Sequence, residues 1–239
     1  MKMKIVAMLA LAMNVAAQAA EPLDVYICAG QSNMAGAGQK EELPAELQAA
    51  QTNVFIFDGA KWIVMEPSKR VGPEVSFAYT LQRALNKPIG IIKYAKGGTN
   101  LAKDWSPENP ASLYAKLKTT VAAAGQARKI SIKGMIWMQG ENDSRYEEMA
   151  KAYAQNLTNF IQTARKDFNS PEMPFVAGRV NPPYAFSNLV RTAQSTCTVE
   201  GYSYIDCDDL SKQEGGLHYD TAGLVEMGKR FALSIQNLQ

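Results

Sequence analysis

Two residues set the terms for any chemistry in this chain: its single histidine, His218, and the glycine-flanked serine Ser32. One histidine excludes a multi-histidine metal centre. Cys28, Cys197 and Cys207 are too scattered to replace it, so neither a metal nor a cofactor is expected. Any step that needs an imidazole must use His218.

Four polar loops hold the other reactive side chains. Ser32 sits in Gly30-Gln31-Ser32-Asn33-Met34-Ala35-Gly36, directly after an apolar run. A serine on such a turn can expose its hydroxyl and aim its own N–H at a developing oxyanion. An ordinary strand-end turn fits the segment equally well, and no Gly-Lys-Ser/Thr follows to make it a phosphate loop. Lys96-Gly97-Gly98-Thr99-Asn100 lets backbone approach a ligand closely, although turn-making is its simpler role. In Trp137-Met138-Gln139-Gly140-Glu141-Asn142-Asp143, Asn142 or Asp143 is expected to cap the helix that follows. Four polar side chains around one glycine nevertheless exceed what a cap requires. Gly215-Gly216-Leu217-His218-Tyr219-Asp220-Thr221 places the histidine just ahead of the last helix, with Asp220 or Thr221 as its cap. Together the loops supply a serine, one histidine, acids and oxyanion donors, which are the parts of a serine esterase.

The elements that must position these loops follow from hydropathy. Strand-like apolar runs occupy 24–29, 54–58, 88–94, 130–138, 174–180 and 202–206. Met149, Tyr153, Leu157, Phe160, Ala164 and Phe168 recur at helical spacing, as do Leu224, Met227, Phe231 and Ile235. Strands alternating with helices predict an α/β domain with a mainly parallel sheet covered on both faces. Ligands of such sheets bind beyond the carboxyl ends of the strands, where the four loops fall.

The amino terminus predicts export. Lys2 and Lys4 precede the apolar run Ile5 to Met13, and Ala17-Gln18-Ala19 is an A-x-A cleavage pattern. Residues 1–19 are therefore expected to be a secretory signal peptide and 20–239 the esterase domain, periplasmic or extracellular. The apolar run is shorter than the roughly 20 residues a membrane span needs, so no membrane anchor is expected. The whole chain carries 25 basic and 23 acidic residues, and removing the leader's two lysines leaves 23 of each. A neutral chain without a basic run offers nothing to nucleic acid. Export permits a disulfide, and Cys197–Cys207 is the candidate pair, while Cys28 fits a buried strand position.

The four blocks, with Trp105 beyond the second and Gly72-Pro73-Glu74 ahead of a helix, resemble those of the SGNH (GDSL-like) hydrolases. The nearest branch is the sialate O-acetylesterase/acetylxylan esterase group, carbohydrate esterase family 6, and the likeness runs from Asp24 to the last helix. It implies a flavodoxin-like three-layer α/β/α sandwich in which Ser32 is the nucleophile and His218 the general base. It further implies an oxyanion hole of the Ser32 and Gly97 N–H groups with one amide, from Gln139 or Asn142. The implied substrate is an acetylated carbohydrate, acetylxylan or O-acetyl sialate. One position departs from the pattern: the family's Asp-x-x-His becomes Gly215-x-x-His218. The acid that supports His218 must come from elsewhere, from Glu141 by preference, because its loop is fixed between strand and helix, or from Glu214.

These expectations amount to a secreted carbohydrate O-acetylesterase working through an acyl-serine. The alternative, resting on Gly215 alone, is a family member that binds acetylated glycan without turning it over. A lipase or thioesterase would need an extended apolar groove. Trp105, Tyr184 and Phe186 are candidate sugar platforms with core packing as the simpler role, and Arg179 is a candidate for a sialate carboxylate or a local acid. The sequence leaves the oligomeric state open.

Overall fold

A computed structural model describes residues 21–239, so the expected leader lies outside the described residues. The strands along the described chain are β1 (Leu23–Gly30), β2 (Gly38–Gln39), β3 (Gln51–Phe57), β4 (Trp62–Met65), β5 (Arg70–Val71), β6 (Ile89–Ala95), β7 (Ile130–Met138), β8 (Phe175–Gly178) and β9 (Tyr202–Ile205). The helices are α1 (Ser32–Ala35), α2 (Ala45–Gln48), α3 (Glu74–Leu85), α4 (Leu113–Ala127), α5 (Glu147–Asp167), α6 (Ser187–Ser195) and α7 (Thr221–Asn237). Seven strands form one sheet in the order β4-β3-β6-β1-β7-β8-β9, and β2 pairs with β5 separately. Every pairing in the large sheet is parallel except β3 with β4. The six apolar runs of the sequence are its six parallel strands. Continuous apolar runs are what strands buried on both faces require.

Side-chain alternation along the strands sorts the helices into two layers. On one face Tyr26 of β1 meets Phe77 of α3, and Gly134 of β7 lies under Ile235 of α7. On the other, Trp137 packs on Phe160 of α5 with ring centroids 4.6 Å apart, and Tyr114 of α4 joins the same cluster. The result is a three-layer α/β/α sandwich. Of the apolar stripe read on α5, Tyr153, Leu157, Phe160 and Ala164 are buried, while Met149 and Phe168, the latter just past the helix end, are half-buried; all four residues read on α7 are buried. Asp220 caps α7, accepting from the Gly223 N–H at 2.8 Å.

Three local features differ from the sequence reading. Strand β4 escaped the hydropathy reading because it is a half-exposed edge, with Ile63 and Val64 both exposed. It is joined to β3 by a turn in which Asp58 accepts from the N–H groups of Ala60 and Lys61. Neither Asn142 nor Asp143 caps α5. A 3₁₀ turn over Asp143–Arg145 intervenes, and α5 begins at Glu147 without a side-chain cap. Its ends suit the helix dipole, with Glu147 and Glu148 in the first turn and Arg165 and Lys166 in the last. The candidate disulfide is also absent: Cys197 and Cys207 are free thiols. Cys207 is buried, and burial pushes its thiol up to about 12.

What matters most for the site is register. Gly30 at the end of β1 stands beside Ala95 of β6 and Met138 of β7, so three loops leave the sheet at one level. The chain turns sharply there. Gly30 has φ +149°, and a Cβ on it would lie 2.1 Å from the Met138 carbonyl oxygen. Gln31 N–H then donates to that carbonyl at 2.9 Å, and Lys96 N–H donates to Gly30 O at 3.1 Å. Only glycine allows this approach. Gly30→Ala is expected to cost about 3 kcal/mol of unfolding free energy, from backbone strain plus overpacking. Urea unfolding measures it, and an unchanged midpoint would contradict the tight β1–β7 exit.

Candidate active site

The loops after β1, β6 and β7 meet the loop before α7 around one cavity of about 320 Å³. Its lining includes Ser32, Gly97, Gly98, Glu141, Asn142 and His218, together with Gln31, Arg145, Tyr184 and Leu217. Ser32 opens the four-residue helix α1, is half-buried and lines the cavity. Gly97 lies against it, so close that a Cβ there would stand 3.5 Å from Ser32 Cβ. The serine loop is braced from behind by the Gly72-Pro73-Glu74 segment. Glu74 pairs with Lys93 of β6 at 2.7 Å, and Lys93 also donates to Ala35 O at 2.9 Å.

The loop after β6 is tied down by three side chains from the loop after β7. Asp143 is fully buried and accepts from Leu101 N–H at 3.0 Å and from Gln139 Nε2 at 2.6 Å. Gln139 Nε2 also donates to Thr99 O at 3.0 Å. Asn142 Nδ2 donates to Gly98 O at 3.0 Å. Trp105 fixes the far end: its ring meets Trp137 edge-on at 5.0 Å, and its Nε1–H donates to Thr99 Oγ1. Trp105 is thus core and Phe186 packs against core, whereas Tyr184 reaches the cavity. Arg179 is held by Asp206 and Asp208.

The two candidate amides sit differently. Gln139 is fully buried beneath the cavity with its Nε2 occupied by Asp143 and Thr99. Asn142 lines the cavity and has spent one of its two N–H groups on Gly98. The two candidate acids also separate. Glu214 is exposed on a turn closed by Gly216 N–H to Gln213 O, and Glu141 is buried at the cavity wall. Gly215, where the family pattern has its acid, adopts φ +87° in that turn, a backbone that an aspartate rarely takes.

Glu141 is gripped from both sides of Ser32. Asn33 Nδ2 donates to Glu141 Oε1 at 2.6 Å, and the Gln31 amide comes within 3.1 Å of Oε2. Asn33 also accepts from Tyr219 N–H at 3.1 Å and donates to Leu217 O at 3.3 Å, so it holds the backbone on both sides of His218. Burial pushes the Glu141 carboxyl from 4.5 up to about 7. The Asn33 bond and Lys212 oppose that rise, and Asp143 adds to it. Burial likewise lifts Asp143 from 3.8 to about 6 against the pull of its donors.

Sequence reasoning passed over two residues. Asn33 stands in the serine motif, but nothing in the sequence names its partners, which lie 108 to 186 positions away. Arg145 lies two residues past Asp143, with its guanidinium 4.8 Å from the Tyr184 ring centroid at the cavity. The run of polar residues beyond Asp143 was the available signal.

The family model described as carbohydrate esterase, sialic acid-specific acetylesterase, matches residues 22–237. A probable carbohydrate esterase of Arabidopsis thaliana is 26% identical, over 88% of this chain and 89% of that protein. Among solved structures, an Arabidopsis thaliana protein superposes with TM-score 0.83 at 23% identity, covering 91% of this chain and 99% of that one. A carbohydrate acetylesterase from Xanthomonas citri gives TM-score 0.68 at 20% identity, over 90% of this chain and 56% of the other.

The raised carboxyls give the fold a pH signature. The folded state binds more protons than the unfolded chain wherever the pH lies between the ordinary and raised values. The favourable contribution of Glu141 is therefore complete below 4.5 and is lost as pH rises through about 7. Glu141→Gln removes this dependence. Its stability relative to wild type should improve by about 3 kcal/mol between pH 4 and pH 8, at about 1.4 kcal/mol per pKa unit. Urea unfolding at both pH values checks this, and a pH-independent difference would contradict it.

Proposed function

Since this chain belongs to the carbohydrate esterase, sialic acid-specific acetylesterase family, we propose that it removes acetyl groups from acetylated sugars by a serine–histidine acyl-enzyme mechanism. The observation that carries this reading is the convergence of Ser32 and the chain's one histidine on a single cavity with Gly97 and Asn142. Ser32 Oγ attacks the acetyl carbonyl carbon while His218 takes its proton. The negative charge that develops on the carbonyl oxygen is met by the N–H groups of Ser32 and Gly97 and by the second N–H of Asn142. The intermediate collapses, the sugar oxygen leaves with the proton from His218, and acetyl-Ser32 remains. Water, deprotonated by His218, then releases acetate by the same route in reverse.

The size of the cavity supports a short acyl group, since about 320 Å³ lies at the small end of ligand sites. Its lining holds one aliphatic side chain, Leu217, beside the polar groups. That lining suits a sugar acetate better than the long apolar groove of a lipase. Gln139 serves here as a tether between loops. Glu141 is the carboxylate assigned to supporting His218, in place of the acid missing at position 215. Residues 1–19 direct export and are cleaved, so an exported product should begin at Ala20.

Acetate release from acetylated xylan, O-acetyl sialate and an aryl acetate tests the reading. Wild type should hydrolyse at least one of these. Ser32→Ala should lose at least about 10³-fold in kcat, and Asn142→Ala about 10²–10³-fold, the usual cost of one oxyanion donor. Glycan binding without acetate release, indifferent to Ser32→Ala, would instead favour the non-catalytic alternative that Gly215 suggests.

A further inference from the structure

We infer that Asn33 is a positioning residue for the acyl-transfer site, and that Glu141 supports His218 through Asn33 rather than by bonding the imidazole. The inference rests on the serine-esterase reading above and concerns how its histidine is held. Asn33 is completely buried and uses both ends of its amide. Its nitrogen donates to Glu141 Oε1 at 2.6 Å and to Leu217 O at 3.3 Å, and its oxygen accepts from Tyr219 N–H at 3.1 Å. One side chain beside Ser32 thereby fixes the residues immediately before and after His218. The histidine loop is closed on its other side by Gln213 N–H to His218 O at 2.8 Å.

The chemistry requires an amide at this position. Aspartate is isosteric but has no donor, so it would leave Leu217 O unpaired and set a second carboxylate against Glu141. Alanine would leave Leu217 O, the buried Tyr219 N–H and Glu141 Oε1 without the partner that Asn33 supplies. The role of Glu141 in this arrangement is that of a hydrogen-bond acceptor that keeps the Asn33 amide from rotating. Its surroundings agree with that role. The charged or titratable groups acting on it are Asp143 of its own loop and Lys212 of the histidine loop. Tyr153 on α5, Cys207 after β9 and Tyr219 also feel its charge. The cavity itself adds His218.

The two roles for Glu141 predict different consequences of an isosteric change. Glutamine keeps the acceptor oxygen and gives up only the charge assistance of the bond. On an aryl acetate, Glu141→Gln should therefore lower kcat about three- to tenfold, whereas Glu141→Ala and Asn33→Asp should each lower it about 10²-fold with KM within about twofold, the scale of a small misplacement. In the double variant Asn33→Asp/Glu141→Gln the bond can re-form with reversed polarity, glutamine donating to aspartate. That variant should recover at least about tenfold over Asn33→Asp alone. A merely structural role would give no such rescue.

Placement can also be read without turnover, because a protein free of a histidine tag has only the His218 imidazole to observe by NMR. Wild type and Glu141→Gln should give one sharp set of ring signals, and Asn33→Ala a broadened or multiple set. A loss of about 10³–10⁴-fold in Glu141→Gln would overturn the inference, since that is the cost of neutralising a direct triad acid. So would a double variant no better than Asn33→Asp, or an imidazole spectrum unaffected by Asn33→Ala. A wild-type activity indifferent to Ser32→Ala would instead remove the esterase reading, so the two failures are distinguishable.

Discussion

The site depends on one buried hydrogen bond, from the Asn33 amide to the Glu141 carboxylate. Asn33 follows the serine, Glu141 follows the strand that ends beside it, and the free end of the amide holds the loop that carries the histidine. Removing a carboxylate from water is costly, and the raised Glu141 carboxyl records that cost. The cost is offset because both carboxyl oxygens meet amides, one from each side of Ser32. In return, three loops far apart in sequence share one fixed geometry, which the proposed acyl transfer needs because the reacting groups must be aligned before the reaction begins.

That bond can form only because the sheet delivers the loops together. Gly30, Ala95 and Met138 are register partners at the carboxyl ends of three adjacent parallel strands. Asp143 and Gln139 then draw the middle loop inward with buried bonds to Leu101 and Thr99. The polar network beneath the cavity is nearly saturated, and saturation is what makes a buried polar cluster rigid. At the cavity itself, Asn142 keeps one N–H uncommitted.

Much of this was legible in the sequence, and the reasons differ from one feature to the next. The central strands β1, β6, β7 and β8 could be read because parallel strands covered on both faces must be largely apolar, and α5 and α7 because each buries one stripe. The edge strand β4 could not, since Ile63 and Val64 face solvent and break the pattern. The four loops stood out by residue type, and the family resemblance singled out Ser32, His218, Gly97, Glu141 and Asn142 within them; these five line the cavity, whereas Gln139 lies buried beneath it and Glu214 is exposed away from it. Their mutual connections were not legible. Asp143 looked like a helix cap and is instead the anchor of a loop more than forty residues upstream. Asn33 looked like part of a motif and is the link between Glu141 and the histidine loop. Such roles are set by which loops the sheet brings face to face, and no local pattern encodes that.

The central claim is that Ser32 carries the acyl group between its two transfers. The most direct measurement is mass spectrometry of the protein quenched during turnover of an aryl acetate, with peptide mapping of any adduct. The mechanism predicts one acetyl group on the hydroxyl of Ser32, present during turnover and absent once substrate is exhausted. Acetate release that proceeds with no adduct on Ser32 and persists in Ser32→Ala would contradict it.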